Sequence, residues 1–453
     1  MKKTGILLLI ISLLSISLYA KNKVRIRSIE VNAPFHMSPI QIPDFSGCKK
    51  FDIRDFGAKP EDKESTSRAI ESAIEKANKN GGGIVVIPTG IWLTKKIHFK
   101  SNVNLHLAKD AVLLFSEDPK DYLPAVKTTW EGMECYNYSP LIYAYNCENV
   151  AITGEGKLKA KLDVWEIWYD RPQAHLDASK ILYDAASFNK PVEERQMAKD
   201  GYNFRPQFMQ FNRCQRVLIE GISIENSPFW VLHPFLSKDV VIRKVNVHAH
   251  GRNNDGVDPE MTQNLLIEDC VFDQGDDAIA IKSGRNQDAW RLNTPSKNIV
   301  IRNCLVKNGH QLLAIGSEIS GGVENVFMDN CEVVDGAKLN HLLYLKTNER
   351  RGGYIKNIYI SNIKSGKIDK GILGIETDVL YRWKDLVPTY ERRLTKIANI
   401  FLDQVHAKNV DFLSRVLGEE ELPIQNVVLK NVAADDIREE KYISKNLHGF
   451  KVE

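Results

Sequence analysis

The stretch Asn264-Leu265-Leu266-Ile267-Glu268-Asp269-Cys270 puts one apolar side chain at Leu265, a second two residues later at Ile267, and a third at Cys270, five after the first. The same template starts at Val217, Val240, Ile299, Val326, Ile358, Ile400 and Val427, with third positions at Ile222, Val245, Cys304, Cys331, Ile363, Val405 and Val432. Alternation at period two marks a strand with one buried face, and the break in phase before the third position marks a bend into another short strand. From Val217 the template returns after 23, 25, 34, 27, 32, 42 and 27 residues, with no helical pattern in between. Short strands repeated in this way imply an all-β solenoid, a parallel β-helix whose coils stack on one another.

The rest of the chain fits around that solenoid. Ala69, Ile70, Ala73, Ile74 and Ala77 recur at helical spacing within 65–78, which predicts a helix capping the open N-terminal end. Gly81-Gly82-Gly83 precedes Ile84-Val85-Val86-Ile87 and lacks a following Gly-Lys-Ser/Thr, so it reads as a tight turn rather than a phosphate cradle. From about 159 to 203 the template lapses into a polar insertion with Trp165, Trp168, Tyr169 and Tyr183, and an insertion of that size builds a wall or a lid. Seven cysteines include no Cys-x-x-Cys pair; Cys270, Cys304 and Cys331 share one template position and read as an apolar interior column, not as disulfides or metal ligands.

Composition sets the outer bounds. The 453 residues are 43% hydrophobic and 26% charged, which is ordinary for a globular protein. Residues 1–20 join Lys2 and Lys3 to an apolar run from Ile6 to Leu18 and a small Ala20, the pattern of a secretory signal peptide. The run is shorter than the roughly 20 apolar residues of a membrane span. Its removal takes the formal charge from +3 to +1 and leaves 21–453 as one β-helix domain, exported to the periplasm or beyond. A near-neutral chain argues against nucleic acid as the partner. A monomer with no membrane span, no metal and no cofactor is expected.

Polar residues intrude on a second strand series. They lie in Asn253-Asn254-Asp255-Gly256-Val257-Asp258, Gly275-Asp276-Asp277 running to Lys282, Gly309-His310-Gln311, and His341 running to Lys346. Rungs of a parallel sheet lie about 4.8 Å apart, so Asp255, Asp276 with Asp277, His310 and Lys346 would span roughly 14 Å of one face, the length of a few sugar rings. Carboxylates that close cannot all ionise freely, which separates an acid from a base, as glycoside hydrolysis requires. His310, Lys282 and Lys346 add donors and positive charge for an acidic substrate. Taken singly, Asn-Asp-Gly and Gly-Asp-Asp are ordinary turns and a lone histidine is usually structural. Their placement on consecutive coils is what points to chemistry.

These residues resemble glycoside hydrolase family 28, the polygalacturonases, on a right-handed, pectin-lyase-like β-helix. The likeness runs from Phe51-Asp52-Ile53-Arg54-Asp55-Phe56-Gly57-Ala58 to about Val432 and is densest from Arg205-Pro206 through Asn226-Ser227-Pro228-Phe229-Trp230 to Arg351-Gly352-Gly353. The family's Asn-Thr-Asp is similar to Asn253-Asn254-Asp255, and its Asp-Asp to Asp276-Asp277. The resemblance implies Asp276 as general acid, with Asp255 and Asp277 orienting and deprotonating the attacking water in an inverting hydrolysis. Gly-His-Gly corresponds to Gly309-His310-Gln311, and retention of His310 argues against the rhamnogalacturonan-hydrolase branch. Arg-Ile-Lys corresponds to Tyr344-Leu345-Lys346, so the Arg associated with gripping a galacturonate carboxylate is replaced by Tyr344; Arg350 and Arg351 are candidates to supply its charge. The implied substrate is a pectic polysaccharide or oligogalacturonide, attacked from an end if the insertion closes the groove. Competing readings are hydrolysis of another pectic linkage, such as a rhamnogalacturonan fragment, a calcium-dependent pectate lyase, and a non-catalytic polysaccharide-binding β-helix.

Overall fold

The computed structural model describes residues 23–453, so the signal-peptide reading of 1–20 lies outside the described residues. Each recurrence of the template is one coil of a parallel β-helix. Leu265 pairs with Val240 on one side and Ile299 on the other, and the register runs from Val217 through Val326, Ile358, Ile400 and Val427 without a slip. A central coil has three strands, for example Gln263–Glu268, Val271–Gln274 and Ile279–Ile281, each laddered to its counterpart on the next coil. Their inward side chains fill the solenoid: Val240, Leu265, Ile299 and Val326 are fully buried, beside Cys270, Cys304 and Cys331. All seven cysteines are free thiols.

The bend into each coil has a local cause. Asn264, Asn298, Asn325, Asn357, Asn399 and Asn426 immediately precede the first apolar position and have φ between 56° and 62°. Asparagine tolerates this left-handed conformation better than other residues with a Cβ. Its amide also bonds to the coil before: Asn298 donates to Asn264 at 3.2 Å, Asn325 to Asn298, Asn357 to Asn325 and Asn399 to Asn357 at 3.0 Å, and Asn426 to Asn399 at 2.8 Å. The outward position between the two inward ones is also apolar in Leu218, Val241, Leu266 and Val300, because Ile40 and Ile42 of the antiparallel pair Arg25–Ile29 and Ile40–Asp44 cover it.

The expected helix is Lys63–Lys79, started by the Asp62 carboxylate, which accepts from the Glu64 and Ser65 N–H groups. Its Ala69, Ile70, Ala73, Ile74 and Ala77 join the core against Gly83–Ile87 and Gly90–Thr94. The glycine run is a turn: Gly81 and Gly82 have positive φ, and a Cβ on Gly83 would sit 2.5 Å from the Phe51 ring and 2.8 Å from Ala77. The intervals between strands are not helix-free. Asn286–Leu292 occupies the 34-residue step, Trp383–Leu386 the 42-residue step, and Asp163–Ile167 and Gln173–Ser187 the insertion. The first two are too short to imprint a periodicity on the sequence. The insertion and the 377–395 excursion meet: Trp130, Leu182, Tyr183, Phe204, Phe229 and Val387 form one apolar cluster flanking the third-strand face. Among the described residues no helix is long and apolar enough to cross a membrane.

Candidate active site

Asp255, Asp276-Asp277 and His310 fall on three consecutive coils, at the turn entering the third strand. The backbone joins these turns as it joins strands. Gly256 N–H donates to Asp277 O at 3.0 Å, Ala278 N–H to Gln311 O at 2.9 Å, and His310 N–H to Asp276 O at 2.8 Å. Asp276 thus stacks under His310, and the His310 Nδ1 lies 3.0 Å from the Asp276 carboxylate. The two lysines come from elsewhere. Ile281 is in register with Ile315, and Gly316 with Lys346, so Lys282 and Lys346 stand at the far end of the third strands rather than in line with the aspartates. The single line of rungs expected from the sequence is therefore two groups, bridged by long side chains. Lys346 Nζ donates to Asp277 Oδ2 at 3.1 Å. Lys282 Nζ lies 3.7 Å from Asp255, 3.6 Å from Asp258 and 3.5 Å from Glu318.

One residue type acquires different proton affinities here. Burial, then the charge of Asp276, pushes Asp255 up to about 8, and Asp258 beside it is pushed well above the usual carboxylate range by burial and by Asp255. Burial also raises Asp277, against the pull of Lys346. Asp276 goes the other way: burial would raise it, but the His310 hydrogen bond and the charges of His310, Lys346 and Lys282 hold it down. His310 is raised in turn, first by that hydrogen bond. The Asp276 side chain is 20% exposed, against 5% for Asp255 and 1% for Asp277, so it is the aspartate that a bound molecule reaches most readily. Oδ1 of Asp255 and Oδ1 of Asp277 are buried without a hydrogen-bond partner.

Several expected substrate contacts have other partners. Arg350 is not on an exposed turn; its guanidinium is buried, donates to Trp383 O and Val387 O, and lies 4.0 Å from the Tyr390 ring centre. Arg351 is equally buried and donates to Ser317 O at 2.8 Å and Asn286 Oδ1 at 2.8 Å. Arg350 thus holds the carbonyls at the two ends of the short helix Trp383–Leu386, and Arg351 holds a loop carbonyl and a side-chain amide. Lys282 is enclosed over the Trp230 ring, 4.7 Å from its centre, among its three carboxylates, so it tunes charge rather than offering a free contact. Tyr344 stacks on His341 at 4.5 Å and donates to Glu376 at 2.9 Å, while the Lys346 Nζ that bonds Asp277 lies 5.8 Å from its ring centre. Asn253, at φ 58°, accepts from Arg205 at 3.0 Å and Arg171 at 3.4 Å, and so tethers the insertion to the turn that carries Asp255.

Other residues were overlooked. Asp258 is three residues past Asp255, and its spacing was a usable signal. Glu318 takes Arg285 at 2.7 Å as well as Lys282, and these cations hold it ionised far below the ordinary range despite its burial. Tyr381, at φ 47°, comes from the 377–395 excursion and feels the charges of Lys346 and Asp277. The 42-residue step was its only sequence signal. Donor atoms of Asp276, Asp277 and His310 lie within 4.8 Å of one another, as do those of His248, His250 and Asp273 on the outer flank; either set is composed as a cation site could be. In the first set Lys346 already places a positive charge on Asp277.

Residues 192–449, more than half of the chain, match the sequence profile of Glycosyl hydrolases family 28. The chain belongs to that family. This family 28 chain is 27% identical over 395 residues to a probable polygalacturonase of Vitis vinifera, covering 83% of the chain and 72% of that protein. It is 26% identical over 304 residues to the exo-poly-alpha-D-galacturonosidase of Dickeya chrysanthemi, covering 62% of the chain and half of that longer protein. Among solved structures, a hyperthermoactive exopolygalacturonase from Thermotoga maritima superimposes with a TM-score of 0.82 and 36% identity over 92% of each chain. The family 28 chain is a glycoside hydrolase on the parallel β-helix.

Proposed function

We propose that this hydrolase is an exported exo-polygalacturonase that removes α-1,4-linked galacturonate from the end of pectic chains or oligomers with inversion. One observation carries the chemistry: three aspartates on adjoining coils, each given a different proton affinity by its own partners. Asp276, the most open, gives its proton to the leaving glycosidic oxygen as the bond to the anomeric carbon breaks. The proton reaches Asp276 from His310 Nδ1 across 3.0 Å when an anionic sugar docks beside the pair. Asp277 takes a proton from water as that water's oxygen bonds to the anomeric carbon, and Asp255, still protonated near neutrality, orients it. Asp276 and Asp277 have donor atoms within 4.8 Å, closer than the ~6.5–9.5 Å of most inverting pairs, so the water enters beside them rather than between them.

The Thermotoga relative supports exo action, as do the insertion and the 377–395 excursion, which wall one side of the third-strand face. The apolar N-terminal run supports export. A monomer suffices for this reading, since the aspartates, His310 and the two lysines already meet within the described residues. In the test, Asp276→Asn lowers kcat/KM on polygalacturonate by about 10²–10⁴-fold with circular dichroism and Tm unchanged. An unaltered rate would remove Asp276 from the acid role.

A further inference from the structure

An acidic sugar needs a cation free to meet it. In the depth of this site none is free: Lys282 faces Asp255, Asp258 and Glu318, Lys346 faces Asp277, Arg285 faces Glu318 and His310 faces Asp276. Drawing Lys282, Lys346 or Arg285 onto a substrate strands a buried carboxylate, which is costly. Arg350 and Arg351 are engaged by main-chain carbonyls.

Three other arginines come from three separate segments beside these groups. Arg171 belongs to the insertion; it reaches Asn253, on the turn that carries Asp255, at 3.4 Å, sits a loose 3.6 Å from Glu131, and keeps a buried Nε–H without an acceptor. Arg252, next to Asn253, is exposed and donates only to the Tyr169 carbonyl, at 2.9 Å. Arg382, also exposed, lies between Tyr381, which feels Lys346, and Trp383, whose ring centre is 4.4 Å from Arg285. Among the described residues neither Arg252 nor Arg382 makes a salt bridge. Burial first and then the charges of Arg171 and Arg382 lower the proton affinity of Arg252, against the weaker opposing pull of Glu131 and Asp170. A planar guanidinium is suited to take a carboxylate by two parallel hydrogen bonds.

We infer that Arg171, Arg252 and Arg382 form an anion-binding rim that grips the carboxylate of a sugar next to the cleaved bond, taking over the charge absent at Tyr344. The inference rests on the galacturonate reading above. It makes acid-over-ester preference a property of the insertion and the 377–395 excursion rather than of the solenoid face.

The test measures binding of trigalacturonate and of its fully methyl-esterified form to the folded Asp276→Asn protein, alone and with Arg171→Gln, Arg252→Gln, Arg382→Gln or Arg382→Lys. Steady-state kinetics of the same arginine variants with Asp276 intact accompany it. Each Gln variant is expected to weaken the acid about 10–100-fold, leave the ester unchanged, and raise KM with kcat within about threefold. Arg382→Lys recovers part of the loss. Arg382 has no salt bridge to lose, so its variants keep the fold if Arg171→Gln does not. Acid affinity unchanged in all three Gln variants, or acid and ester weakened equally, overturns the rim while leaving the hydrolase reading standing. A parent enzyme that neither binds nor cleaves trigalacturonate overturns the substrate reading itself.

Discussion

Asp255, Asp258, Asp276 and Asp277 are chemically one residue and electrostatically four. Burial alone would raise them all; what separates them is that Lys346 reaches Asp277, Lys282 reaches Asp255 and Asp258, and His310 reaches only Asp276. Lys346 lowers the proton affinity of Asp255, Asp276 and Asp277 alike, so its removal lets all three rise. In Lys346→Met both limbs of the pH profile of kcat/KM should therefore move to higher pH, with the greatest loss on the acid side, where Asp277 must stay ionised. A pH series on one oligogalacturonide checks this, and a limb moving down would contradict it. The aspartates and His310 were legible because turn residues of these types fell on successive coils. Lys282, Arg350 and Arg351 were misread because a charge in sequence does not show what it faces: each ended buried against an acceptor that lies tens of residues away.

At the scale of elements, the coil depends on its asparagines as much as on its apolar columns. Asn325 donates to Asn298 and accepts from Asn357, both at 3.0 Å, while holding φ at 58°. Asn325→Ala loses both bonds and the tolerance for that φ, and should cost about 2–3 kcal/mol. Asn325→Gly keeps the conformational freedom and should cost about 1 kcal/mol less. Thermal unfolding of the two variants orders them, and Gly falling below Ala would show that the bonds, not the backbone, dominate. The strands were readable because interior alternation is written in residue type. The asparagines stood at the head of six of the eight template segments, yet their role is a backbone angle, which composition does not display. The uneven steps of 34 and 42 residues were likewise visible, but not that each holds a short helix and that the second carries Tyr381 to the site.

Across the whole molecule, the solenoid supplies a rigid row of coils and the excursions decide what reaches it. The insertion at about 159–203 packs on the hairpin Val126–Trp130 and Met133–Asn137, and through Tyr183 and Trp383 (ring centres 5.2 Å apart) on the 377–395 excursion. Trp130 stacks at 4.4 Å on Phe204 and at 4.6 Å on Phe229, which adjoins Trp230 under Lys282, so the wall is continuous with the floor of the site. A near-neutral chain thus presents its useful charge locally, and the wall limits how a polymer enters. The most direct measurement follows hydrolysis of pentagalacturonate by the purified protein, with products resolved by size from the first seconds. Exo hydrolysis requires galacturonate monomer and tetramer alone at the earliest points, with trimer appearing only as tetramer is consumed. Dimer and trimer formed together at the outset would contradict it.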